Sequence, residues 1–428
     1  MSTLKELIMV PGVSKGRLII SLIAILLMGV ICSYIYVLSV YVSPLNEAHG
    51  WSMNSIVLAY SIAMFVAPFA FAFSKPVADK FGRKNTLIGM GVIYGLAIAA
   101  SGLTSSVIVF IIAQGIICSF AMYAMNFCMI LLINIIWPNL KSTVMGIMYG
   151  CSTFGGALLA PIAVFFIGKF SVGTALVIQG LLFAVIMLIC GLLIWDPSKG
   201  NKKLAEQMDE ESEQLGAEFT PPAERISMPI KKVVRHPSIY IYIISIILIQ
   251  LIGNLLVTDA SALATMTYAI TEAKAALAIT MMNIGAGFGG IICGFMGDRV
   301  GHFKLTFWLG VLDGVLIVIL GLMGLKTFGM FVALCTIQGF TYNGITALNP
   351  AMNTVAWGEK SLGTTMAMSA IGTIIVAFIG PQLGFMVSMR SMLLICGLAS
   401  AVGGILALLV AKTCTSYYKS VGSDVVVR

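Results

Sequence analysis

Asp79-Lys80-Phe81-Gly82-Arg83-Lys84 stands between two long apolar runs, and a weakened copy, Asp298-Arg299-Val300-Gly301-His302-Phe303, stands between two more, 219 positions later. Glycine permits a tight reversal of the chain. An acid at the end of one helix can cap a neighbouring helix N-terminus and pair with an Arg or Lys. Asp79, Gly82, Arg83, Asp298 and Arg299 are therefore expected to form paired gates, closed in one conformation and released in another.

Composition decides the environment of those runs. The chain of 428 residues is 59% hydrophobic and 10% charged, with a mean hydropathy of +1.02. A soluble domain carries about 25% charged residues, so this chain is read as an integral membrane protein. Apolar runs of about twenty residues fit helices, whereas barrel strands would alternate over about ten. Spans are expected over 17–42, 52–74, 85–103, 106–136, 142–168 and 172–195, then over 238–262, 273–297, 304–325, 328–355, 361–388 and 391–413. The fold expected is all-α, with twelve transmembrane helices in two six-helix pseudo-symmetric bundles. The first run, from about Arg17 to Tyr41, is too long for a signal-peptide core and lacks a small-residue cleavage site.

The net charge of +8 follows from topology. With both termini inside, 21 Lys and Arg fall on the cytoplasmic side, against Lys169, Lys274, Lys326 and Arg390 outside. That asymmetry is the positive-inside bias, not a nucleic-acid footprint. The nine cysteines form no CxxC and there are three histidines, so neither a metal nor a cofactor is expected.

Residues 1–195 and 238–428 read as two related bundles, the second with a short cytoplasmic tail. Residues 196–237 read as a cytoplasmic linker, acidic in the middle (Asp209, Glu210, Glu211, Glu213), basic at both ends, and carrying Pro221-Pro222. Trp137 and Trp357 are 220 apart, as are Pro161 and Pro381, which are expected to bend their helices. Duplicated six-helix units mark a secondary transporter with its solute site near the midplane.

Asp79-Lys80-x-Gly82-Arg83-Lys84 resembles the loop between helices two and three of the major facilitator superfamily. Gly294-x-x-x-Asp298-Arg299-x-Gly301 is similar to its partner loop. A narrower resemblance, to the oxalate/formate antiporter and monocarboxylate porter branches, lies in Tyr34-x-Tyr36-x-x-Ser39-Val40-Tyr41-x-x-Pro44-Leu45, Gly50-Trp51-Ser52, Trp357-Gly358 and Gly380-Pro381. The resemblance implies alternating access, with helices one, four, seven and ten facing a cavity. Those helices carry Tyr34, Tyr41, Gln114, Tyr123, Asn126, Gln250, Asn254, Gln338 and Tyr342, and helix five adds Tyr149. Tyr123, Tyr149 and Tyr342 match the aromatic cage the resemblance implies. Oxalate-type relatives hold cations in helices eight and eleven, where Gly290 and Ile371 stand here. An anion in a low-dielectric cavity needs a counter-charge or several donors. A dianion is thus disfavoured. A monocarboxylate held by neutral donors, moved by proton symport or anion exchange, is the expected solute; a neutral, zwitterionic or apolar compound is the alternative.

Two acids fall inside spans, Asp259 and Asp313, and are candidates for proton coupling. Glycines of the eighth span (Gly285, Gly287, Gly289, Gly290, Gly294) and of the fifth (Gly146, Gly150, Gly155, Gly156) are at spacings that allow close helix crossings. Gly285-x-Gly287-x-x-Gly290 imitates a dinucleotide fingerprint but follows no strand and lies in an apolar helix, so it is rejected. No catalytic constellation converges in a span, so an enzyme is not expected. A membrane sensor using 196–237 to dock a partner is a remote alternative. The expected partners are a small-molecule solute and the bilayer, with no nucleic acid. The expected form is a monomer in a plasma membrane, of the bacterial inner type.

Overall fold

The computed structural model describes residues 14–196, 227–268, 270–386, 388–423 and 426–427, without the side chains of 36, 257–259, 261–262, 266, 272–274 and 377–386. The linker's acidic centre and Pro221-Pro222 lie outside the described residues, as do the side chains of Asp259, Lys274 and Pro381.

Twelve long helical runs are described. They are α1 (Lys15–His49), α2 (Met53–Phe81), α3 (Arg83–Gly102), α4 (Val107–Ile136), α5 (Lys141–Lys169) and α6 (Val172–Leu193), then α7 (Pro237–Tyr268), α8 (Glu272–Val300), α9 (His302–Met323), α10 (Phe328–Trp357), α11 (Leu362–Met386) and α12 (Met389–Ser420). Ten of these runs contain described stretches long and apolar enough to cross a membrane, α10 and α11 being outside that ten. Large apolar side chains such as Phe69, Leu158, Leu192, Leu312 and Leu398 are exposed. In water such a surface would aggregate; against lipid tails it is the expected exterior.

The helices run past the apolar stretches. α2 was expected to stop at 74 and continues to Phe81, and α12 continues to Ser420 rather than 413. Hydropathy falls where Lys and Asp begin, but backbone hydrogen bonding continues, and long side chains reach out to the water interface. Asp79 and Asp298 therefore lie on the last turns of α2 and α8, not in loops. The loop shrinks to one residue in each copy, Gly82 (φ 86°, ψ 143°) and Gly301 (φ 99°, ψ 137°). Similar dihedrals at matching positions carry the sequence repeat into the backbone.

The chain divides into two compact units, one of Met1–Val144 with Cys151–Pro222 and one of Met145–Gly150 with Ala223–Arg428. In the first, α3 and α6 interlock through glycines: a Cβ on Gly95 would strike Ala184 and Gly180, and a Cβ on Gly180 would strike Ala99. In the second, α9 and α12 do the same, with Gly310 against Gly404 and Gly314 against Gly397 and Ala401. α3 and α6 are the third and sixth helices of one half, α9 and α12 those of the other. In lipid, where apolar side chains gain little by leaving the tails, such close backbone approach supplies the packing energy.

The glycines of α8 were expected to make close helix crossings. They cross two neighbours, with Gly285 and Gly289 against Thr336 and Phe340 of α10, and Gly290 against Gly146 in the Met145–Gly150 segment. In the first unit Gly155 of α5 lies on Val30 and Ser33.

The end of the linker is built into the second unit. The Met228 N–H donates to the Trp357 carbonyl (3.0 Å), and a short helix, Ile230–Arg235, leads into α7. Trp357, fully buried, lies edge-on to Tyr242 at 5.2 Å and donates its Nε1–H to Ser238 Oγ at 3.0 Å.

Candidate functional site

In the first unit the polar side chains gather where α1 and α4 meet α2, α3 and α6. α4 is not a regular helix there. Residues Ile112–Cys118 form a π segment, a local widening that is frequent at functional sites. Its carbonyl at Gln114 is taken up by the Ser119 hydroxyl at 3.0 Å, five residues on. The π segment carries Gln114, whose Nε2 donates to Tyr34 Oη at 3.2 Å and to Ser101 Oγ at 2.8 Å. Among the described residues nothing donates to Gln114 Oε1, and nothing accepts the Tyr34 hydroxyl hydrogen.

Those two groups border a cavity of about 10 Å³, the room of a single water. Tyr34, Tyr60, Tyr94, Gln114, Cys118 and Ser119 give it its polar wall, and Ile35, Leu38, Ala59, Ala63 and Met122 the apolar one. No charged residue lines it. The chemistry it offers is one open donor beside one open acceptor in a nearly dry setting. Tyr34 and Tyr41, expected on one face of the first helix, have ring centroids 6.2 Å apart, and Tyr34 is edge-on to Phe183 at 5.8 Å. Tyr41 donates to Gln179 Oε1, and Gln179 Nε2 is buried without an acceptor among the described residues.

The remaining expected residues are dispersed. Tyr123 is half-buried, edge-on to Phe71 at 5.6 Å, with its hydroxyl 3.9 Å from the Met64 sulfur. Asn126 and Tyr149 are half-buried and partnered.

In the second unit Gln250 donates to Thr346 Oγ1 at 3.1 Å, Asn254 is buried, and the Tyr342 ring rests where a Cβ on Gly253 would be 2.9 Å away. Gln338 is one of the expected solute contacts. It is buried and donates Nε2–H to Asp313 Oδ1 of α9 at 2.6 Å. Asp313 also receives Thr341 Oγ1 at 3.3 Å, and Ser400 Oγ lies 3.2 Å from its Oδ2. A dry carboxyl needs donors, and α10 provides two of them.

The first charged turn holds its acid locally. Asp79 pairs with Lys75 at 2.6 Å, one turn back on the same helix, while its side chain remains 54% exposed. That arrangement replaces the expected pairing across the half, because the extra turn of α2 brings Lys75 beneath it. An exposed pair at this spacing contributes only about 0.3–0.5 kcal/mol. Asp298 faces His302 Nε2 at 3.6 Å, and the Arg299 guanidinium lies 3.9 Å above the Phe295 ring. Lys84 donates to the carbonyls of Leu192 and Ile194 at 2.8 and 2.6 Å, closing the end of α6.

Sequence reasoning passed over Ser101, Gln179 and Ser400. Gln179 and Ser400 are lone polar residues in apolar runs, and that isolation was the available signal; Ser101, three residues before Thr104-Ser105-Ser106, carried none. What each one bonds to depends on long-range packing.

Two sets of six helices, with most charges at the helix ends and polar groups and one carboxyl inside, describe a multi-pass membrane protein. The chain belongs to the Major Facilitator Superfamily, whose family model matches residues 20–263. It is a secondary transporter, not an enzyme. Among solved structures it is similar to the proton:xylose symporter XylE, with a TM-score of 0.63, 13% identity, and coverage of 96% of this chain and 97% of that one. It is also similar to the E. coli fucose:proton symporter FucP, with a TM-score of 0.64, 13% identity, and coverage of 91% and 98%. At that identity the likeness shows the fold. No curated protein matches the chain.

Proposed function

We propose that this transporter carries a small organic monocarboxylate by alternating access, coupled to protons or to exchange of a second anion. The observation that carries the reading is the neutral donor–acceptor pair of Tyr34 and Gln114 on the π segment of α4, beside a cavity with no cation. Once alternating access widens this water-sized pocket, a monocarboxylate taken with its proton, or one with a hydroxyl beside the carboxylate, would satisfy one donor and one acceptor. A dianion would bring two charges to a wall that has nothing to balance them. The resemblance of the Tyr34–Leu45 stretch to monocarboxylate porters supports the same class.

The same neutral wall favours a second reading, a polyhydroxylated neutral solute. The solved relatives of this fold are named as sugar symporters, which agrees with that alternative and with a proton as coupling ion. Asp79 with Lys75, and Asp298 with His302, act in either reading as the charged ends of α2 and α8 that rearrange as the cytoplasmic side opens, around the hinges Gly82 and Gly301. Arg83 and Arg299 anchor them at the interface. We place the protein in a bacterial inner membrane as a monomer with both termini in the cytoplasm, on the distribution of Lys and Arg.

Uptake of labelled lactate, formate, oxalate and xylose into liposomes containing the purified protein separates the readings. Lactate or formate flux without oxalate flux supports the first, and xylose flux alone moves the assignment to the second. In the variant Gln114→Leu the KM of the carried solute should rise about ten-fold, the equivalent of one lost hydrogen bond of roughly 1.4 kcal/mol. An unchanged KM removes Gln114 from the site.

A further inference from the structure

Asp313 lies in the middle of α9, 4% exposed, with its two oxygens in different settings. Oδ1 receives two hydrogens, from Gln338 Nε2 at 2.6 Å and Thr341 Oγ1 at 3.3 Å. Oδ2 faces Ser400 Oγ at 3.2 Å, and that hydroxyl is also 3.1 Å from the Gly310 carbonyl oxygen. A serine hydroxyl has one hydrogen. If Asp313 is ionised, Ser400 serves either the carboxylate or the carbonyl, and a full charge sits in a dry site without a cation. If a proton rides on Oδ2, that oxygen donates to Ser400 Oγ, Ser400 donates to the Gly310 carbonyl, and every hydrogen in the chain is used once.

The surroundings agree. α10 carries no charged side chain, and on α12 the nearest charges, Arg390 and Lys412, are ten and twelve residues from Ser400. On α9 the other charged or titratable groups, His302 and Lys304, are eleven and nine residues away. The buried thiols Cys335 of α10 and Cys396 of α12, together with Ile317, belong to an adjoining apolar cluster. Gly310 against Gly404 and Gly314 against Gly397 bring α9 and α12 close together on either side of the carboxyl, which is 4% exposed. An unpaired charge buried so costs several kcal/mol, which neutralisation avoids.

We infer that Asp313 is an occluded proton-binding carboxyl, protonated on Oδ2 in this conformation, and that its proton load is read by α10. The same helix presents Gln338 and Thr341 to Asp313 and, on the next position, Tyr342 to α7 at Gly253. Loss of the proton turns Ser400 from acceptor to donor toward Asp313, taking its one hydrogen from the Gly310 carbonyl, and tightens the hold on Gln338 and Thr341, so proton release and α10 position are linked. The proton enters or leaves when α9, α10 and α12 separate enough to admit water. The inference rests on the proton-coupled transport proposed above.

Infrared difference spectroscopy of the purified protein in lipid, with isotope-labelled aspartate, reads the proton without any solute. A protonated-carboxyl stretch at neutral pH, shifted in heavy water, altered by Ser400→Ala and absent from Asp313→Asn, is expected. A wild-type spectrum showing only carboxylate, or a band that persists in Asp313→Asn, overturns the assignment. Should Asp313→Asn fail to fold, the wild-type band and its response to Ser400→Ala decide. For coupling, lactate and xylose are the transported probes. In Asp313→Asn, accumulation driven by an inward proton gradient should fall at least ten-fold more than counterflow does. Equal losses leave Asp313 a structural acid and refute the coupling. Flux of neither probe, with the infrared band present, refutes the solute reading while the proton site stands.

Discussion

Gly82 and Gly301 show how one residue type at two positions sets a hairpin between helices. Their φ of 86° and 99°, with ψ near 140°, lie in a region that side chains other than glycine rarely enter. Gly82→Ala should therefore destabilise the folded protein by about 1–3 kcal/mol. A melting temperature in detergent equal to wild type would contradict the assignment. His236 is the residue where pH acts outside the spans. Burial and the nearby Lys232 ammonium hold its imidazole below the ordinary histidine range. Its Nδ1 lies 2.7 Å from Ser238 Oγ, the same hydroxyl that receives Trp357 Nε1–H. The sign follows: a depressed folded value means the folded state binds the proton more weakly. Its contribution is present above about pH 6.5 and is lost as pH falls below that value. Melting curves of wild type and His236→Gln should accordingly converge on acidification from about pH 7.5 to 5.5; parallel curves would exclude the group. The acid-base-glycine spacing made the turns legible in the sequence, because it is local. The partners of Asp79 and Gln338 were not legible. Lys75 reaches Asp79 only because α2 runs on past its apolar stretch, and Gln338 turns to Asp313 because a dry carboxyl draws donors from the helix packed on it.

At the scale of elements, hydropathy located the helices, since each must bury its backbone hydrogen bonds in lipid. It misplaced their ends by up to about a turn or two, where charged residues continue the helix into the interface. Which helices cross closely was only half legible. The small-residue spacings on α8 were visible, but their partners include α10, and the α3–α6 and α9–α12 pairs emerge from packing. The π segment of α4 had no sequence signal, because its extra residue is accommodated by the Ser119 hydroxyl and by the neighbours of Gly115, not by residue type. The helix pairs give a sharp expectation. Gly314→Leu places a side chain where Gly397 and Ala401 backbone atoms lie within 3 Å, so it should abolish monodisperse protein in size-exclusion chromatography. Gly168→Leu, with nothing within 4 Å, should purify like wild type. Equal yields from both variants would show that α9 and α12 do not depend on this contact.

For the whole molecule, the repeat in sequence, the matched glycine turns and the matched glycine-locked helix pairs describe one six-helix design used twice, as the Major Facilitator Superfamily uses it. The design explains why a chain 59% hydrophobic keeps its polar groups in a few interior clusters. The cavity beside Tyr34 and Gln114 would serve the solute, and the carboxyl of Asp313 would serve the proton, each inside its own unit. The central claim, a neutral-walled carrier of a monocarboxylate, is tested most directly by counterflow in liposomes containing the purified protein. The liposomes are loaded in turn with formate, lactate, pyruvate, oxalate or xylose, with and without an inward proton gradient. Saturable exchange of a monocarboxylate, with oxalate excluded, is the result expected. Exchange of oxalate, or of xylose with no carboxylate carried, would contradict it.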